Sequence, residues 1–108
     1  MVLYEKKIRE LVEDMRPPAH IRHQVDVGYS YKAQALEIYE SRPQWNNNAV
    51  INQHPFAKAK FNKSQNVWKI YWRRASGKWE LYEQEPEVNS IEDFFRIINE
   101  DKLHVFRG

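Results

Sequence analysis

The residues of this chain whose types and spacing could do chemistry are cations set two apart. Between Pro55 and Trp79 the sequence reads PFAKAKFNKSQNVWKIYWRRASGKW, with seven basic residues and no acidic one. Apolar and basic side chains alternate through it with the period of a β-strand, so a sheet built from it has one apolar face and one positive face. Turns centred on Ser64-Gln65 and Ser76-Gly77 set a register. Ala57 then faces Trp72, Ala59 faces Ile70, Phe61 faces Trp68 and Trp72 faces Leu81. Small residues stand against large ones there, as a close-packed face requires. Lys58, Lys60, Lys69, Tyr71, Arg73, Lys78, Glu80 and Tyr82 fall on the other side. That surface suits an anionic ligand such as nucleic acid: the cations hold phosphates while the tyrosine rings stack on bases. Lys60 and Lys69 stand directly opposite each other, a like-charge pair that an anion would bridge. The bland reading is a solvated outer face with an Arg73–Glu80 cross-strand ion pair, its lysines deterring edge aggregation. A third reading lets the acidic block from Glu83 to Asp101 lie close and cancel the field.

Other constellations are thinner. Arg42, Arg74 and Glu40 sit on the apolar side of the pattern at strand ends, either as a structural ion pair of Glu40 with one arginine or as an anion-binding arginine pair beside Trp79. The structural version is favoured, because ion pairs on a core rim are common. His20 and His23 form the one close histidine pair, with Asp26 as the obvious third group. Zinc needs three or four ligands, so no metal is expected, and no cofactor. No glycine-rich phosphate loop is present. Ser30, Ser41, Ser64, Ser76 and Ser90 lack a motif that places a histidine and an acid beside them, so binding is favoured over catalysis. Most of the aromatics, Trp79 included, read as core. Trp45, stranded in a polar stretch, is either a contact for a partner or a second subunit, or an anchor folded back onto the body, the reading the sequence favours.

The elements that must position these groups follow from periodicity. Tyr4, Ile8, Leu11, Val12 and Met15 form one helical stripe from Val2 to Met15, and Pro17-Pro18 ends it. From His23 the period becomes two through Val25, Val27, Tyr29 and Tyr31. A turn near Ala33-Gln34 leads to a second strand that Arg42-Pro43 closes. Gln44 to His54, with Asn46-Asn47-Asn48, reads as a surface loop. The three strands of the basic segment complete a meander. Ser90 and Asp93 then form a capping box for a helix that buries Ile91, Phe94, Phe95, Ile97 and Ile98, and Leu103, Val105 and Phe106 pack back. The expected fold is α+β: an N-terminal helix, a five-stranded antiparallel meander and a C-terminal helix on its apolar face.

Composition bounds the rest. At 108 residues the chain holds one modest core, so residues 1–108 are expected to be a single domain. Fifteen aromatics (four Trp, six Tyr and five Phe) let a small core bury a large area. With no cysteine, disulfides and thiol nucleophiles are excluded. No run is long enough to span a bilayer, so no membrane partner is expected and the location implied is cytoplasmic. The net charge of +2 hides blocks of 0, +7 and −5 over residues 1–54, 55–79 and 80–108. Such asymmetry implies a charged partner, nucleic acid or an acidic protein, or internal neutralisation.

A set of motifs then stands out: Arg16-Pro17-Pro18 with His20-Ile21-Arg22, Glu40-Ser41-Arg42-Pro43, Ala57-Lys58-Ala59, and Val67-Trp68-Lys69-Ile70-Tyr71-Trp72. Arg74-Ala75, Lys78-Trp79, Tyr82, Pro86 and Phe106-Arg107-Gly108 complete it. From Arg16 onward the chain resembles a family of small bacterial proteins classed as a domain of unknown function, with Val67–Trp79 its most specific part. The resemblance implies a bacterial, cytoplasmic, single-domain protein and no activity. Glu80 departs from it, standing where a histidine is expected after Lys-Trp. The function expected is a small binding domain for an anionic ligand on the basic face. The alternative is a protein-interaction or homodimerisation module using Trp45 and exposed sheet edges.

Overall fold

The computed structural model describes residues 2–107, with side chains from Glu5 onward. The side chain of Tyr4 and the closing Gly108 lie outside the described residues. Helix α1 spans Val2–Met15, burying Ile8 and Val12 and half-burying Leu11 and Met15. It stops before Pro17-Pro18, and Arg16 ties its end to the first strand. Nε and one terminal nitrogen of Arg16 each donate to an Asp26 carboxylate oxygen at 2.9 Å. A single 3-10 turn, Ala19–Ile21, follows, and the N–H groups of Gln24 and Val25 both donate to the Ile21 carbonyl. The first strand therefore opens at Asp26, three residues after the change of period at His23.

Among the described residues six strands form one antiparallel sheet. β1 (Asp26–Lys32), β2 (Ala35–Gln44), β3 (Asn47–Asn62), β4 (Val67–Arg73) and β5 (Trp79–Leu81) run in sequence order, and β6 (Glu87–Val88) pairs with β4 beyond β5. Helix α2, Ile91–Glu100, starts as the capping box requires: Ser90 Oγ accepts the Asp93 N–H at 3.2 Å. The fold is α+β with a meander sheet. Its apolar face and the two helices enclose a core of Leu36, Ile38, Ala57, Ala59, Trp68, Ile70, Phe94 and Ile98, each at most 1% exposed. The tail folds back because the Asp101 carboxylate accepts the N–H groups of Phe106 and Arg107. Among the described residues no helix is long and apolar enough to cross a membrane.

Two departures from the sequence pattern matter. Gln44–His54 is not a loop. It is the end of the β2–β3 hairpin, with Pro43 paired to Ile51, Gln44 to Asn47, and Trp45-Asn46 as the turn. A two-stranded ribbon with both faces in water has no need of alternation, so its strands leave no periodic trace. Nearer the body, β3 carries a bulge: Ile38 pairs with Ala57 but Tyr39 with Pro55, which leaves Phe56 as an extra residue. Phe56 and Ala57 are consequently both buried although adjacent.

Candidate functional site

The register of β3 on β4 places the candidate residues. Ala57 pairs with Trp72, Ala59 with Ile70, Phe61 with Trp68, and Lys60 with Lys69, as the turn at Ser64-Gln65 requires. The Asn62 carboxamide holds that turn by accepting from Ser64 Oγ at 2.8 Å and the Gln65 N–H at 3.3 Å. Directly paired residues share a face, so the face away from the helices can be followed strand by strand. One row runs Lys32, Ala35, Lys60, Lys69, Glu87 and the next Ser30, Glu37, Lys58, Tyr71, Leu81. Gly28 and Tyr39 form one end of a third row, with Arg73 and Trp79 at the other end, beyond the bulge. Gly28 suits its place, since a Cβ there would sit 2.8 Å from the Tyr39 ring.

The β4–β5 register differs by one residue from the sequence expectation. Trp72 pairs with Glu80, not Leu81, and Arg73 pairs with Trp79. The turn explains the shift. The Gly77 N–H donates to the Arg74 carbonyl and the Arg74 N–H to the Lys78 carbonyl, both at 2.8 Å, so the loop holds three residues, not two. Gly77 takes φ +90, which closes a three-residue hairpin loop. A one-residue shift exchanges faces. Trp79 leaves the expected core and joins the lysine face, together with Leu81. Glu80 moves to the side of Trp72, away from the outer cations, and Lys78 lies beside Arg74 at the turn. The expected Arg73–Glu80 pair is replaced by Arg74–Glu80 at 3.2 Å.

Tyr82 also leaves the predicted site. It follows the end of β5 and turns under the sheet edge, 5% exposed, its ring 5.1 Å from Phe106 and its N–H on the Ile70 carbonyl. Burial pushes its hydroxyl above the usual tyrosine range, with Asp101, Glu85 and Glu100 adding to the shift.

What assembles is a compact group on the outer face. Lys58 Nζ lies 5.6 Å from the ring centres of both Tyr71 and Trp79, and the Arg73 guanidinium lies 5.7 Å from Trp79. Beside it is a shallow depression of about 350 Å³ lined by Lys60, Phe61, Asn62, Lys63, Lys69 and Tyr71. Among the described residues, Lys58, Lys60, Lys63, Lys69, Arg73 and Lys78 enter no salt bridge. Much of the acidic block is engaged elsewhere: Glu85, Asp93 and Glu100 surround Arg96, and Glu92 meets Lys7. Glu87, opposite Lys69, is the acidic residue of that block placed in these rows.

The second constellation divides. Arg42 donates to Glu40 at 3.3 Å, but Arg74 is turned to Glu80. The stronger partner of Glu40 is Arg107, donating from Nε at 3.0 Å and from a terminal nitrogen at 2.6 Å, with its guanidinium 5.3 Å from the centre of the Phe56 ring. Burial works against ionisation of Glu40, but the hydrogen bonds and charge of Arg107, with the charge of Arg42, hold its carboxyl below the usual range. Glu40 and Arg107 are 67 residues apart, and nothing local in the sequence links them. Near the histidines, Asp26 is taken by Arg16, and its carboxyl is held below the usual range chiefly by those hydrogen bonds. No cluster of three metal-ligating side chains occurs among the described residues. Trp45 does not fold back as an anchor. It stands at the hairpin tip, 91% exposed.

The model of a family described as Domain of unknown function (DUF3024) matches residues 2–108. The chain belongs to this family. The DUF3024 match takes in helix α1, which the resemblance from Arg16 onward had left out. No curated protein and no solved structure matches the chain. Within this DUF3024 chain the stretch Val67–Trp72 alternates between Trp68, Ile70 and Trp72 on the packed face and Lys69 and Tyr71 on the open one.

Proposed function

We propose that this DUF3024 chain is a binding domain, bacterial and cytoplasmic as the family resemblance implies, that takes single-stranded nucleic acid on the open face of its sheet. The observation carrying this reading is the conjunction of Lys58, Lys60, Lys69 and Arg73, none in a salt bridge among the described residues, with two aromatic rings, Tyr71 and Trp79, on one side of the three adjacent strands β3, β4 and β5. Phosphates need cations that are not already neutralised, and bases need ring faces. Lys60 and Lys69 repel each other across the ladder, and a phosphate between them relieves that repulsion. Tyr82, Lys78 and the Arg42–Arg74 pair have no part in this site.

The test is fluorescence anisotropy with a labelled single strand of about 12 nucleotides, a length within the usual footprint of such sites. Affinity falls as salt rises, with a log–log slope of about −3 if four phosphates are neutralised, at about 0.7 each. The double variant Lys60→Glu, Lys69→Glu flattens that slope, and Trp79→Ala weakens binding while leaving the slope in place. Absence of binding at low salt overturns the proposal. Equal competition by polyglutamate, with no effect of Trp79→Ala, assigns the face to an acidic protein instead.

A further inference from the structure

The β2–β3 arm carries a second surface, independent of the lysine face. β4 pairs with β3 only from Ala57 onward, so among the described residues Asn47–Pro55 of β3 has β2 on one side and no strand on the other. Every second residue of that stretch turns its N–H and C=O toward the open side. Strand edges left open in monomers are guarded by charge, proline or a covering loop. This one carries no charge: residues 43–57 contain no Lys, Arg, Asp or Glu, in a chain that is 30% charged, and within the free stretch proline stands only at its end, as Pro55. Val50 and Ile51 are 40% and 55% exposed there, below the exposed Trp45.

We infer that this edge is a dimer interface, pairing antiparallel with the same edge of a second copy. Three features select a second copy as the occupant. An uncharged edge meets itself without like-charge repulsion. An antiparallel ladder is self-complementary, so each contact occurs twice about a two-fold axis. The free stretch is bounded by the Trp45-Asn46 turn at one end and by β4 at the other, and it overlaps itself fully only when Ile51 faces Ile51. In that register each tip, with its Trp45, reaches the turn at the end of the other copy's β4. Side chains paired across a ladder share a face, so the two lysine faces lie on the same side of one continuous sheet.

Sedimentation equilibrium on the full chain tests this, with a dimer expected at protein concentrations up to about 1 mM. Ile51→Lys, which sets two charges against each other on the axis, yields a monomer whose urea midpoint equals that of the parent chain diluted to where it too is monomeric. Because the chain has no cysteine, Ile51→Cys provides a single thiol, and mild oxidation links the copies there but not through Asn99→Cys on the far helix. A monomeric chain, a dimer that survives Ile51→Lys, equal cross-linking at both positions, or open-ended oligomers would each overturn the inference. A dimer that ignores nucleic acid keeps this interface and rejects the binding proposal.

Discussion

Along β4 the chain alternates between two ways of using a side chain. Trp68 and Ile70 are 1% and 0% exposed, paired with Phe61 and Ala59 on the face that packs against α2. Lys69 and Tyr71, their neighbours, face a surface that neither helix covers. The cations divide in the same way. Arg16, Arg42, Arg74, Arg96 and Arg107 each meet a carboxylate, and they tie elements together: α1 to β1, the tail to β2, α2 to the loop after β5. The outer lysines enter no salt bridge among the described residues. The difference teaches that the fold does not depend on the charges of its open face, which leaves them available to a ligand.

The largest test of that division is a pair of neighbouring substitutions. Trp68→Ala removes the largest fully buried side chain and costs about 3–5 kcal/mol, lost transfer energy plus the cavity left behind. Lys69→Ala changes stability by no more than about 0.5 kcal/mol, as surface substitutions usually do. Urea unfolding of both variants measures the contrast. Comparable losses would mean that the outer face is part of the structural scaffold.

A smaller effect sharpens the boundary between the faces. Gly77 holds φ +90, and a Cβ there meets only an Arg73 terminal nitrogen, at 3.5 Å. Gly77→Ala is therefore a test of backbone conformation alone, expected to cost about 1–2 kcal/mol for an L-residue forced into left-handed space. If the three-residue turn is what sends Trp79 to the lysine face, the variant also shifts Trp79 emission, read against a Trp79→Phe background. An unchanged spectrum with the expected loss of stability would show that packing on Lys58 and Tyr71 holds Trp79 without help from the turn.

That turn marks the limit of what the sequence discloses. At Ser64-Gln65 two signals agree, turn centre and small-against-large pairing, and the β3–β4 register is legible. At Ala75-Ser76-Gly77 a two-residue and a three-residue loop are both plausible readings. Trp79 and Leu81 share a face in either register, and their apolar character favours the core, so pattern points to the shorter loop, and the error carries Trp79 out of the candidate site and Tyr82 into it. Helix α2 was readable because its cap and its apolar stripe coincide. The arm was hidden because a ribbon wet on both faces has no periodicity, and Arg107 because its partner is distant in sequence. Local signals locate elements; contacts between remote segments need the fold.

The smallest effect concerns the paired side of the comparison. Asp26 and Glu40 have carboxyls held below the ordinary range, Asp26 by hydrogen bonds from Arg16, and Glu40 by Arg107 and Arg42 against the opposing effect of burial. A carboxyl that ionises more readily in the folded than in the unfolded chain contributes stability above the ordinary carboxylate range, near pH 4. That contribution is lost as pH falls through the lower folded value. The chain should therefore weaken on acidification below about pH 4. Solvent screening at these half-exposed positions leaves a combined contribution of about 1 kcal/mol. Asp26→Asn lowers stability at neutral pH and flattens the acid limb of a urea-midpoint profile. Lys60→Gln on the open face, in no salt bridge among the described residues, leaves that limb as it was. If Lys60→Gln flattened it too, the outer cations would be paired in solution, and the division between structural arginines and available lysines would fail.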